Sequence, residues 1–179
     1  DAHGASAGSM LNLLDSHDTP RVLTSFKGDI ERLRIALTIQ MTLPGAPMIY
    51  YGDEVGLLGE TDPDCRRCMP WDSKDWNQRI VRMTRQLIEL RREHPALRCG
   101  RPQKLTAFNG IFAYKQFFAE DEVIVVLNPR EEVSDFEIPV LSQNTLWYEV
   151  FCEQTYQAVN GKIALKRVMA QRAMVFVRK

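Results

Sequence analysis

The stretch NLLDSHDTPR, residues 12–21, sets Asp15 and Asp18 around His17, one of three histidines in the chain. A carboxylate beside an imidazole can hold sugar hydroxyls, and fixed negative charge can stabilise a cationic, oxocarbenium-like transition state. The same residues also suit a polar loop, with His17 bonded to a loop carbonyl and Asp18 capping the turn before Pro20. Further on, Asp53 and Glu54 open the acidic stretch GDEVGLLGETDPDCRRCMPWD, which contains the CxxC pair Cys65 and Cys68. Zinc wants four ligands and one CxxC supplies two, so two loop cysteines without metal is the plainer reading and a zinc-built scaffold its rival. Tyr50, Tyr51, Trp71 and Trp76 read either as faces for sugar stacking or as core. His3 and His94 read as structural or solvated.

These groups need elements to position them. MLNLL (10–14) is a short apolar run ending in a polar turn, as a buried parallel strand would be. Asp29 is placed to cap a helix whose apolar positions Ile30, Leu33, Leu37 and Met41 recur every three or four residues. LPGAP stops that helix, and MIYY (48–51) reads as a second strand ended by Gly52. Asp75, three residues before Gln78, resembles a capping box for a helix with Ile80, Met83, Leu87 and Leu90 on one face, closed by His94-Pro95. Strand, helix, strand, long loop, helix is a β/α repeat. If such units belong to a β/α barrel, the strand ends carry the active site, and Asp15, His17, Asp18, Asp53 and Glu54 share one rim. A loop of about twenty residues in a compact domain is uncommon and usually functional when ordered.

The pattern changes near residues 97–101. LTAFNGIFAYKQFF, EVIVVLN, VSDFEIP, TLWYEVF, GKIALK and AMVFVRK are short β-rich runs separated by breakers. Asn109-Gly110 and Asn160-Gly161 favour tight hairpin turns. This half reads as an antiparallel sandwich or barrel-like domain. The predicted fold is therefore α/β plus all-β, divided into residues 1–97 and 98–179.

Composition narrows the partners. The 179 residues carry 23 basic and 23 acidic side chains, and are 45% hydrophobic and 26% charged. A net charge of zero argues against nucleic acid or an anionic membrane held by bulk positive field, and no apolar run approaches the roughly 20 residues that span a bilayer. DAHGASAGSM has no basic or apolar leader pattern and reads as the middle of a longer sequence. The cysteines, at 65, 68, 99 and 152, read as free thiols rather than a disulfide framework.

Three ordered stretches carry a resemblance. NLLDSHDTPR resembles the fourth conserved stretch of the α-amylase family of glycoside hydrolases (family 13), at the end of the seventh barrel strand. LPGAPMIYYGDEVGL is similar to that family's eighth-strand signature, and TDPDCRRCMPWD resembles a loop of its neopullulanase, cyclomaltodextrinase and maltogenic amylase group. Together they cover residues 10–76. The resemblance implies the last two β/α units of a (β/α)8 TIM barrel followed by a C-terminal β-sandwich.

The same resemblance implies roles. Asp18 is the third catalytic carboxylate, the transition-state stabiliser that holds hydroxyls and helps distort the ring. His17 bonds the sugar at the cleavage site, and Asp62 and Arg66 grip glucose units further toward the non-reducing end. Arg21 orients the strand-end loop. No metal or other cofactor is implied. The family's nucleophile and acid/base come from strands four and five, in stretches that this sequence lacks. The expectation is thus a C-terminal piece of a retaining hydrolase of α-1,4-glucans (maltodextrins, cyclodextrins, pullulan). Its partners are an α-glucan oligosaccharide and the remainder of its own barrel, and the isolated chain is expected to be inactive; the free-looking cysteines point to the cytoplasm, with the periplasm as the alternative. Open strand edges suggest that the sandwich is the stable unit, with the β/α portion packed on it or on a second copy. The alternative is a non-catalytic carbohydrate-binding or structural β-sandwich, with Trp147, Tyr148 and Tyr156 as platforms.

Overall fold

The computed structural model describes residues 8–141 and 144–179; His3 lies outside them. Two short parallel strands, β1 (Leu11–Leu13) and β2 (Ala46–Met48), pair with Leu11 opposite Ala46 and Leu13 opposite Met48. Between them lie the short helix α1 (Val22–Ser25) and the thirteen-residue α2 (Ile30–Thr42). Asp29 caps α2, its side chain accepting from the amides of Glu31 and Arg32, and Leu33, Leu37 and Met41 are buried. The second strand lies earlier than the apolar run MIYY suggests. Gly45, at φ +109, starts it, and an added Cβ there would sit 2.6 Å from the Met10 carbonyl oxygen. Gln40 seals the pair from the helix side, its amide donating to the carbonyls of Asn12 and Met48.

The long loop is ordered by three single 3₁₀ turns, Asp53–Val55, Asp64–Arg66 and Ser73–Asp75. Helix α3 (Gln78–Glu93) follows, and its cap is Asn77, which accepts from the amides of Arg79 and Ile80. Asp75 does not serve, because it closes the preceding turn. The expected face of α3 is buried: Ile80, Met83, Leu87 and Leu90. After His94-Pro95 the chain makes one more short helix, α4 (Ala96–Cys99).

Eight antiparallel strands follow: β3 (Arg101–Phe108), β4 (Ile111–Phe118), β5 (Asp121–Asn128), β6 (Val133–Pro139), β7 (Leu146–Glu149), β8 (Gln154–Gln157), β9 (Lys162–Val168) and β10 (Arg172–Arg178). Six form one sheet in the order β3-β4-β5-β10-β7-β8, and β6 pairs with β9 in a second. Asn109 and Gly110, at φ 48 and 82, make the β3–β4 turn, the combination that a two-residue hairpin requires. Strand β8 has no run of apolar residues and is not marked in the sequence.

The six-stranded sheet is covered on both faces. Ile111, Ala113, Ile124, Val126 and Phe176 pack against Phe136, Ile138, Ile163 and Leu165 of the small sheet. On the other face Tyr114, Val123, Val125, Leu127, Ala173 and Val175 share a core with Leu33, Leu37, Met41, Met83, Leu87 and Leu90 of the helices. This explains why β5 is apolar without alternation: residues 123–128 are all buried. Polar bonds cross the same boundary. The Tyr114 hydroxyl meets that of Thr42 at 2.5 Å, Gln116 donates to the Thr42 carbonyl at 2.9 Å, and His94 Nδ1 lies 2.7 Å from Asp121. The β/α portion is thus packed on the sheet.

Candidate functional site

Asp15, His17 and Asp18 follow β1 at its C-terminal end, and the loop carrying Asp62 and Arg66 folds back onto them. Arg66 Nε donates to the His17 carbonyl at 3.2 Å and forms an ion pair with Asp62 Oδ1 at 2.8 Å. Its Nη2 lies 3.5 Å from Asp18 Oδ1, and His17 Nε2 lies 3.2 Å from Asp18 Oδ2. The four expected residues therefore form one network. Asp18 is 69% exposed and His17 61% exposed, so the cluster faces solvent, where its carboxylate oxygens and imidazole can meet hydroxyls. The Asp62–Pro63 peptide bond is cis.

A buried framework lies beneath. Arg21 is 0% exposed. Its guanidinium donates to the Cys65 carbonyl at 2.8 Å, to the Tyr51 carbonyl, and to Asp53 Oδ1 at 3.2 Å. The rings of Tyr50 and Tyr51 lie 4.0 and 4.6 Å from its Cζ, where a buried cation is attracted to the ring faces. One residue thus pins the first unit, the second strand end and the DPDCR loop together, as the orienting role expected of it requires. Tyr51 adds a bond from its hydroxyl to the Arg67 carbonyl at 2.8 Å, and Gly59 bonds Arg21 and Thr24 through its backbone.

Asp15 and Asp53 belong to this framework and not to the rim. Both are buried, and Asp15 accepts from the Val22 amide at 2.6 Å. Burial, the hydrogen bond to Asp15 and its negative charge raise the Asp53 carboxyl to about 8, against the opposing pull of Arg21. A carboxyl raised in this way favours a proton shared between Asp53 and Asp15. Glu54 is likewise turned inward, accepting from the Gly52 amide at 2.7 Å. The rim expected of five acidic and imidazole groups therefore reduces to His17 and Asp18, joined by Asp62 and Arg66 from the loop. Nothing in the local sequence marks Asp15 and Asp53 as partners, since 37 residues of chain lie between them.

The aromatic candidates separate by burial. Trp71 is 83% exposed, whereas Trp76 is tied by its indole N–H to the Pro70 carbonyl at 2.6 Å. In the sandwich Trp147 is fully buried and donates to Thr145, so it is core and not a platform. Tyr156 packs edge-on against Phe176 at 5.5 Å, and Tyr148 lies under the Lys179 ammonium at 4.9 Å. Among the described residues no group of three or more His, Cys, Asp or Glu side chains is placed to hold a metal ion.

Comparison with known proteins bears on the family of the chain. Residues 3–79 match the family model described as alpha amylase, catalytic domain. A cyclomaltodextrinase of Thermoanaerobacter pseudethanolicus is 46% identical over 119 residues, covering 66% of this chain and 21% of that protein. Neopullulanase 2 of Thermoactinomyces vulgaris is 37% identical over 164 residues, covering 89% of this chain and 28% of that protein. A solved structure of a cyclomaltodextrinase superposes with a TM-score of 0.85 at 34% identity, over 96% of this chain and 30% of the other. The chain thus spans between a fifth and a third of the length of these relatives. With the motifs, the fold and these likenesses in agreement, the chain belongs to the α-amylase family of glycoside hydrolases.

Proposed function

We propose that the chain is the C-terminal part of a retaining hydrolase of α-1,4-glucans, in which Asp18 stabilises the transition state. The observation that carries this is the convergence of His17, Asp18, Asp62 and Arg66 on one exposed network beyond the C-terminal end of β1. Residues 1–97 are then the last two β/α units of a barrel, and residues 98–179 its C-terminal sandwich. The short parallel pair supports this, because its strands leave Leu11 and Leu13 exposed where further strands would cover them. The relatives named for cyclomaltodextrin and pullulan point to cyclodextrins, maltodextrins and pullulan as substrates.

In the reaction, a nucleophile and an acid/base carboxylate roughly 5 Å apart form and then hydrolyse a glycosyl-enzyme intermediate. The remainder of the barrel supplies both. Asp18 contributes hydrogen bonds to ring hydroxyls that tighten as positive charge develops on the sugar, and His17 bonds the same ring. Asp62 and Arg66 hold glucose units further along, with Arg66 also fixing the Asp18 carboxylate. The buried Arg21 framework keeps the two loops in register.

The test is assay of two proteins on cyclodextrin, maltodextrin and pullulan: the 179-residue chain, and the same chain fused to the preceding barrel strands of a cyclomaltodextrinase. The chain alone is expected to be inactive and the fusion active. Asp18→Asn in the fusion should lower kcat by about 10²–10³-fold, the size of losing one transition-state contact. An active isolated chain, or an Asp18→Asn fusion with undiminished kcat, would sink the proposal.

A further inference from the structure

The loop that carries Asp62 and Arg66 also holds two thiols, and they bracket Arg66. Cys65 is wholly buried. Its thiol donates to the His17 carbonyl at 3.2 Å, and its own carbonyl accepts from Arg21 Nε at 2.8 Å. The backbone has no slack behind it, since a Cβ on Gly59 would come within 2.9 Å of Cys65 Cα. Cys68 is exposed. Between them Arg67, with φ −53 and ψ 150, ends the 3₁₀ turn. One thiol therefore faces the site's framework and the other faces solvent, with the sugar-site arginine on the segment that joins them.

We propose that Cys65 and Cys68 form a reversible dithiol–disulfide switch whose oxidised state withdraws Arg66 from its contacts. The oxidant is a small-molecule disulfide. The Cys68 thiolate attacks one sulfur of that disulfide, its S–S bond breaks, and one thiol leaves with a proton from solvent. The Cys65 thiolate then attacks the Cys68 sulfur in the mixed disulfide, and the second thiol leaves. The protein has lost two electrons and two protons, and the oxidant has become two thiols.

The geometry sets this bond against the contacts of the reduced site. A disulfide holds its sulfurs about 2.05 Å apart and its Cβ atoms about 3.5–4.5 Å apart. A bond to the outward Cys68 competes with the bond of the Cys65 sulfur to the His17 carbonyl and strains the turn over Asp64–Arg66 that lies between. On this proposal Arg66, next to Cys65, gives up its set of contacts to Asp62 at 2.8 Å, the His17 carbonyl at 3.2 Å and Asp18 at 3.5 Å. The other two thiols lie outside the switch: Cys99 is at the end of α4, and burial pushes the Cys152 thiol up to about 11. The consequence for sugar binding rests on the function proposed above; the disulfide itself does not.

The test uses the full 179-residue chain, both as it is and with Cys99→Ser and Cys152→Ser. Each is equilibrated with mixtures of reduced and oxidised glutathione, quenched in acid, alkylated and peptide-mapped by mass. The expected result is loss of two hydrogens from the peptide spanning 65–68, reversed by dithiothreitol, with a shift of the His17 ring resonances in the NMR spectrum. Cys65→Ser should stop at a glutathione adduct on Cys68. Glutathione trapped on Cys68 of the chain that retains Cys65 would overturn the switch, as would a 65–68 disulfide that leaves the His17 resonances in place. Titration of the reduced chain with maltotriose tests the sugar-site reading separately, because its failure leaves the mass result unchanged.

Discussion

Arg21 and Asp53 show how single side chains set the geometry of an exposed site from below. Arg21 donates to two loop carbonyls and one carboxyl group where it is fully buried, and an unpaired polar group there is costly. Arg21→Met should therefore destabilise the chain by about 3 kcal/mol, measured by urea unfolding, and should shift the NMR resonances of Asp62 and Arg66 although it touches neither. Asp53 gives a pH prediction with a definite sign. Its carboxyl titrates near 8 when folded and near the ordinary 4 when unfolded. Between those values the folded chain holds the extra proton, so the Asp53 contribution is fully present below pH 4 and is lost as pH rises to 8. Thermal melts of the chain and of Asp53→Asn at pH 5.5 and 8 check this: the loss of stability at the higher pH should be smaller in the variant. Equal losses in both would mean that the Asp15–Asp53 pair does not share a proton.

At the level of elements, the helices were legible because each buries one face, and the spacing of Leu33, Leu37 and Met41, or of Ile80, Met83, Leu87 and Leu90, repeats that face in the sequence. Their caps were less so. Asp29 and Asn77 both cap, yet Asp75 looked as suitable as Asn77, and the 3₁₀ turn at Ser73–Asp75 decides between them. Asn77→Ala should cost about 1 kcal/mol and lower the melting temperature by about 2–4 °C, whereas Asp75→Ala should change it little. Calorimetry of the two variants separates them. Gly45 positions β2 rather than a helix, and its left-handed φ with a carbonyl 2.6 Å from any Cβ makes Gly45→Ala a test of the parallel pair. That variant should lose protection of the Ala46 amide, which donates to the Met10 carbonyl at 2.8 Å, in hydrogen exchange.

For the whole molecule, one core joins the helices to the sheet. Tyr114, Val123, Val125 and Val175 pack with Leu37, Met83 and Leu87, so the sandwich does not present a finished surface to solvent on that side. The packing of the β/α portion on the sandwich is one of the two arrangements expected of it, and a shared core of this kind makes the stability of the sandwich by itself a matter for test. Residues 98–179 alone should expose that apolar face and bind a hydrophobic dye, and the full chain should unfold in one cooperative step. Two resolved transitions in calorimetry would count against the shared core. By itself the sequence marked His17, Asp18, Asp62 and Arg66 through its resemblance to the family's motifs, which could be read because each motif is local and its members lie within a few positions of one another. It also determined the helical faces and the change to antiparallel strands, since periodicity records burial on one side. Only the tertiary structure decided that the two motifs meet through Arg66, that Asp15 and Asp53 sit below the rim around Arg21, and that Trp147 is core. Those facts depend on contacts between residues some 30–50 positions apart and on burial from both faces of a sheet, which no local pattern of residue types encodes.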